Sequence, residues 1–77
     1  FPSTEYFRYT QLRADRRDIH PEWIAETVAH PVVEVRQRDG RIRRWAYISS
    51  VGRFLRVVLL ADGVTVHNAF FDRNARP

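Results

Sequence analysis

The chain contains no cysteine, no methionine and no lysine, and only three glycines. The missing thiols exclude disulfide staples, cysteine-ligated zinc and thiol catalysis together, and they leave the redox compartment open. A cytoplasmic location in a bacterial cell is compatible with that. No apolar run is long enough to cross a membrane and no short apolar stretch follows a basic segment, so neither a membrane contact nor a signal peptide is expected. The HExxH, P-loop and GxGxxG patterns are absent, and His20, His30 and His67 stand at no metal-ligand spacing, so no metal or nucleotide cofactor is expected.

With lysine absent, all 13 basic residues are arginine, set against 9 acidic ones for a formal net charge of +4. Guanidinium forks bind phosphate bidentately and stack on bases, which an ammonium does less well. A high-GC genome also favours arginine codons, but the charge excess still points to an anionic partner. At 77 residues, 44% of them hydrophobic, the chain suffices for one core and reads as a single domain, residues 1 to 77.

The pattern predicts an α+β fold with two N-terminal helices packed on a four-stranded antiparallel sheet. Thr4 to about Arg16 reads as a first helix, with Tyr6, Tyr9, Leu12 and Arg16 along one side. A second follows at Pro21, with Pro21 at the first helical position and Glu22 in the first turn. Ile19 and Ile24 form a hydrophobic staple, Ile24, Thr27 and Val28 face the core, and Pro31 ends the helix.

From Val32 the period becomes two. Asp39-Gly40 and Asp62-Gly63 each sit between strand-forming residues, which predicts two hairpins: Val32–Arg38 with Arg41–Ile48, and Phe54–Ala61 with Val64–Phe71. Counting outward from two-residue type I′ turns sorts the side chains into two faces. One collects Val33, Val35, Ile42, Ala46, Ile48, Leu55, Val57, Leu59, Val66 and Phe70, with Arg44 and Asn68 embedded as hydrogen-bonding organisers and Asp72 as a candidate partner. The other, open, face carries Arg36, Arg43, Trp45, Tyr47, Arg56 and His67. A single bulge would scramble the assignment.

Arginines interleaved with aromatic rings suit single-stranded RNA, because guanidinium groups meet phosphates while rings stack on unpaired bases. The competing reading is a solvated face on which Trp45 packs against an arginine stem. In the expected register His67 and Arg56 are diagonal neighbours. Metal-free RNA cleavage needs a base, an acid and cations for the phosphorane. His67 supplies the first or second, Arg56 and Arg43 the charge, and Tyr47 positions the phosphate or assists proton transfer. A lone strand histidine is more often structural. Arg13, Arg16 and Arg17 form a second phosphate-binding patch or else complement a helix dipole, and His20 and His30 read as structural helix-end residues.

The segments Leu12-Arg13-x-x-Arg16-x-x-Ile19, Glu22-Trp23-Ile24, His30-Pro31 and Arg53-Phe54-Leu55-Arg56-Val57-Val58, with Thr65-Val66-His67-Asn68-Ala69-Phe70-Phe71-Asp72-Arg73, resemble the small bacterial domain of unknown function 4258. The similarity spans about residues 6 to 73 and extends to the wider RelE/BrnT-like group of ribonuclease toxins. The resemblance implies a RelE/barnase-like arrangement of helices on an antiparallel sheet, RNA cleavage without metal, and a cognate antitoxin partner. Arg73, closing the last segment, joins Arg36, Trp45, Arg13, Arg16 and Arg17 as an expected RNA contact. The first functional expectation is thus an endoribonuclease toxin acting on single-stranded RNA, free or on the ribosome. A non-catalytic RNA-binding or protein-interaction module on the same scaffold is the alternative, and docking to an acidic protein a third.

Overall fold

Thr4 opens the first helix. In the computed structural model, which describes residues 1–75, its hydroxyl accepts from the Phe7 amide at 3.0 Å, satisfying a donor that a helix start leaves without an intrahelical partner. This helix, α1 (Glu5–Thr10), is much shorter than the one expected to Arg16, and turns carry the chain on to Asp18. The bonds Leu12 N–H to Tyr9 O and Arg13 N–H to Thr10 O tighten its end into three-residue turns. Phe7 and Thr10 are buried while Tyr6, Tyr9 and Leu12 are exposed. The core-facing stripe is therefore offset from the expected one: packed on β4, the helix turns Phe7 and Thr10 inward.

Helix α2 (Pro21–Ala29) has Pro21 in its first turn and buries Ile24 and Thr27. Ile19 and Ile24 both enter the core, as the staple predicts. The Thr27 hydroxyl donates to the Trp23 carbonyl at 2.8 Å, which removes the cost of burying it.

The strands β1 (Val33–Arg36), β2 (Ile42–Ile48), β3 (Arg53–Leu59) and β4 (Val66–Phe71) form one antiparallel sheet in chain order, so β1 and β4 are its edges. Both helices lie against one side: α2 touches β2 and β3, and α1 touches β4. Ile24, Leu55, Val57, Leu59 and Val66 fill the space between, each buried almost completely and each contributing about 1.5–3 kcal/mol by leaving water.

The two Asp-Gly turns are in place but are not two-residue turns. A type I′ turn needs positive φ at both central residues, and only glycines have positive φ here. In the first hairpin the Gly40 amide donates to Gln37 O at 3.0 Å and the Gln37 amide to Arg41 O at 2.7 Å. This is a three-residue loop with Gly40, at φ 91°, in the left-handed position. The extra residue shifts the register by one: Val33 pairs with Trp45, Val35 with Arg43 and Arg36 with Ile42. Val33 and Val35, expected in the core, stand half-exposed on the open face, and Arg36 moves to the helix side of the sheet edge. In the second hairpin Leu60 N–H bonds Thr65 O at 2.9 Å, enclosing a four-residue loop. The Asp62 carboxylate accepts from the Val64 and Thr65 amides, each at 2.9 Å, and holds that loop.

A bulge completes the rearrangement. Leu59 pairs with Val66 but Val58 pairs with Asn68, which leaves His67 without an opposite residue. Beyond it the parity of β4 reverses. Ala69 and Phe71 join the core side, while Asn68 and Phe70, both expected among the apolar set, share the open face with Arg56.

The outer edge of β4 is covered. Thr4 N–H donates to Val66 O at 3.0 Å and Val66 N–H to Pro2 O at 2.9 Å, so residues 2–4 run along it as a strap. Farther on, Arg16 donates to Asn68 Oδ1 at 2.7 Å and to Ala69 O at 3.1 Å. Arg44, on the helix side, bonds Glu34 at 2.7 Å and the Val28 carbonyl at 2.8 Å, joining β1, β2 and the end of α2. Asn68 and Arg44 are thus organisers as expected, but with Arg16, Glu34 and Val28 as partners rather than Asp72.

Candidate nucleic-acid interface

Strand alternation puts Arg43, Trp45 and Tyr47 of β2 beside Val58, Arg56 and Phe54 of β3 on the open face. Trp45 donates its indole N–H to Asp72 at 2.9 Å, and the same carboxylate oxygen lies 3.8 Å from Arg56 Nη1. The Arg56 guanidinium is flanked by two rings, 5.5 Å from the Trp45 centroid and 5.1 Å from that of Phe70, geometry in which a ring quadrupole attracts a cation. Its Nε is buried with no hydrogen-bond partner among the described residues. Burial, then the nearby charge of Arg43, lowers the Arg56 pKa, with Asp72 opposing. The Trp45 hydrogen bond, helped by the Asn74 amide and the Arg56 charge, holds Asp72 below the usual carboxylate range against the effect of burial.

Arg43 is engaged differently. With the Gln37 amide oriented as its neighbours require, the Gln37 carbonyl accepts from Arg43 Nε at 2.9 Å. Tyr47, 53% exposed, meets Phe54 edge-to-face at 5.1 Å and presents its outer surface to solvent.

At one end of the sheet, Tyr47, Arg53, Phe54, Phe71, Asp72 and Arg73 line a cleft. Arg53, Phe71 and Arg73 also line an adjoining one, with Arg16, Asp15 and Phe70. The Arg53 guanidinium lies 4.2 Å from the Phe71 ring centroid. Among the described residues no ion pair involves Arg43, Arg53 or Arg73. Arg53 was not an expected contact. Its signal in the sequence is its place before Phe54 at the start of β3, where it flanks the Ser49–Gly52 turn.

The expected catalytic set is divided. Arg56 lies opposite Phe70, three positions past the bulge, so His67 and Arg56 are not diagonal neighbours. His67 instead stacks on Tyr6 at 4.8 Å and its Nδ1 lies 3.1 Å from the Thr4 hydroxyl. Burial, then the charge of Arg41, lowers its pKa, which keeps the ring neutral near pH 7. Arg43, Tyr47, Trp45 and Arg56 do share the open face; Arg36 does not.

Of the expected second patch, Arg16 is mostly buried and committed to β4, Arg13 pairs with Asp15 at 3.4 Å, and Arg17 is exposed. Among the described residues no group of three or more acidic or histidine side chains is arranged to hold a metal ion, and no helix is long and apolar enough to cross a membrane. No family model, curated protein or solved structure matches this chain.

Proposed function

We propose that the sheet-end clefts and the adjoining open face bind single-stranded RNA. The observation that carries this reading is the meeting of Arg53 and Arg73, neither ion-paired among the described residues, with the exposed ring of Tyr47. Phosphates take the guanidinium groups and an unpaired base takes the ring, a sequence-tolerant mode of recognition. Arg43 and Trp45 extend the same surface along β2, and Arg16 borders the second cleft.

A second reading, RNA cleavage, is favoured by the setting of His67. Its Nε2 has no hydrogen-bond partner among the described residues, and its lowered pKa leaves the ring neutral. If Nδ1–H donates to Thr4, Nε2 carries the lone pair that a general base requires. Arg41, whose charge His67 feels, then takes over the phosphorane-stabilising part expected of Arg56. On this reading the domain is toxin-like, with the RelE/barnase-like architecture that the resemblance implies. An antitoxin covers its basic surface, and messenger RNA, free or ribosome-bound, is the substrate.

The test uses a labelled single-stranded RNA in the presence of EDTA, with the wild type, an Arg53→Ala/Arg73→Ala variant, Tyr47→Ala and His67→Ala. Loss of Tyr47 is expected to weaken binding by about 5- to 100-fold, the worth of one stacked base, and the double arginine variant by at least as much. Cleavage to 2′,3′-cyclic phosphate ends that disappears in His67→Ala establishes the ribonuclease. Intact RNA with tight binding, also after ribosomes are added, establishes the non-catalytic module. No RNA binding by the wild type overturns both readings and leaves an acidic protein as the partner.

A further inference from the structure

The two edges of the sheet differ. Residues 2–4 occupy the outward groups of Val66 and Arg16 the Ala69 carbonyl on β4, whereas every residue of β1 is exposed and nothing among the described residues lies outside it. Val33 and Val35 stand 48% and 45% exposed there, with Val32 before them at 64%. An edge strand with that much apolar surface is a template for another strand.

The ladder shows which groups β1 offers. Gln37 N–H bonds Arg41 O, so Gln37 turns its backbone groups toward β2. In an antiparallel pair this direction alternates residue by residue. Val33 and Val35 therefore also bond inward, and the N–H and C=O of Glu34 and Arg36 point out of the sheet. The same alternation carried across the sheet predicts that Phe54 bonds toward β4, and Asp72 N–H does bond Phe54 O at 2.9 Å.

We propose that β1 pairs antiparallel with β1 of a second copy of this chain, the two-fold axis passing through Val35, to give a continuous eight-stranded sheet. Each of the four residues of β1 offers a two-fold axis; an axis at Val33 pairs Glu34 with Val32, whose N–H is already bonded to Trp45 O at 2.8 Å and cannot complete the exchange. An axis at Glu34 sets Glu34 against Glu34, and an axis at Arg36 sets Arg36 against Arg36; both oppose like charges. The axis at Val35 sets Glu34 against Arg36 of the other copy, twice by symmetry. These are the residues whose backbone groups point outward, so each such pair exchanges two hydrogen bonds, four in all. Val35 meets Val35 at the close, non-hydrogen-bonded position on the open face, where the half-exposed side chains cover one another. Charges at an edge strand ordinarily deter pairing; an acid and a base placed symmetrically about one residue deter every partner except a strand with the reversed order, and this strand is its own reverse. The interface is isologous, as a two-fold dimer requires. It does not depend on RNA binding.

Charge exchange and crosslinking test it. Sedimentation equilibrium is expected to show a concentration-dependent dimer of the wild type. Arg36→Glu, which leaves the Glu34–Arg44 bond in place, is expected to weaken it at least tenfold, and Glu34→Arg likewise, while Glu34→Arg/Arg36→Glu restores it, with circular dichroism reporting that each variant is folded. The chain has no cysteine, so Val35→Cys introduces a single thiol. At a non-hydrogen-bonded pair the Cα atoms lie about 4.5 Å apart, within disulfide range, and this variant is expected to oxidise to a covalent dimer faster than Glu34→Cys. A monomer at every concentration, a dimer indifferent to the charge exchange, or equal crosslinking at the two positions each overturns the pairing. The first of these leaves the edge for a strand of another protein, such as an antitoxin.

Discussion

The Asp72 carboxylate accepts from Trp45 at 2.9 Å and lies 3.8 Å from Arg56, tying the end of β4 to the middle of β2 and β3. Removing it leaves a half-buried indole N–H and a half-buried cation without their acceptor. Asp72→Ala is therefore expected to cost about 1–3 kcal/mol, read by urea denaturation at pH 7. The pH dependence has a definite sign. A carboxylate whose pKa falls on folding contributes stability that is complete above its unfolded value, near about pH 4, and is lost as pH falls through the lower folded value. Asp72 is such a group, chiefly through the Trp45 bond. Asp72→Asn, which keeps an acceptor for Trp45, should therefore be less stable than wild type at pH 7 and approach it toward pH 3; a gap that stays constant over that range would contradict this account. The role of Asp72 is only half legible in the sequence. Its status as a hydrogen-bonding partner follows from embedded polar residues in need of one, but which residues it serves depends on the parity of β4, and the bulge at His67 reverses that parity.

Among the elements, the first hairpin loop rests on Gly40, whose φ of 91° few residues with a side chain adopt, and a Cβ there would meet the Ala61 Cβ at 3.3 Å. Gly40→Ala is expected to destabilise by about 1–2 kcal/mol, the penalty of the left-handed region. Thermal denaturation should register a fall of about 4–8 °C per kcal/mol for a domain of this size. Both hairpins, and α2 with its Pro21 start and isoleucine staple, are legible because each is signalled by residues close in sequence. Loop length is not. Asp-Gly serves a two-residue I′ turn and the end of a longer type I turn equally well, and one residue of difference carried Val33, Val35 and Arg36 to the wrong sides. In α1 the spacing of Tyr6, Tyr9 and Leu12 resembles that of Phe7 and Thr10, and only the fit against β4 selects between them. The candidate interface suffered likewise. Arg43, Trp45, Tyr47 and Arg56 lie in the central strands, whose shared parity survives either error, while Arg36 and His67 lie where the register slips.

For the molecule as a whole, the two edges of the meander differ in what they leave open to another chain. The strap of residues 2–4 is held by two backbone bonds to Val66 and a parallel bridge at Ser3, with the Arg8 guanidinium donating to the Ser3 carbonyl at 2.7 Å. Deleting residues 1–4 is expected to expose the outer groups of Val66. Light scattering should then show species that grow with concentration beyond two chains, while far-ultraviolet circular dichroism still reports the sheet; a truncated protein of unchanged size would mean that Arg16 alone guards that edge. In the intact chain the strap acts as a terminator. A second copy that pairs through β1 brings its own strapped β4 to the far edge, so the pairing proposed above closes at two chains, and a small domain with an exposed valine edge is spared the open-ended stacking that leads to fibres.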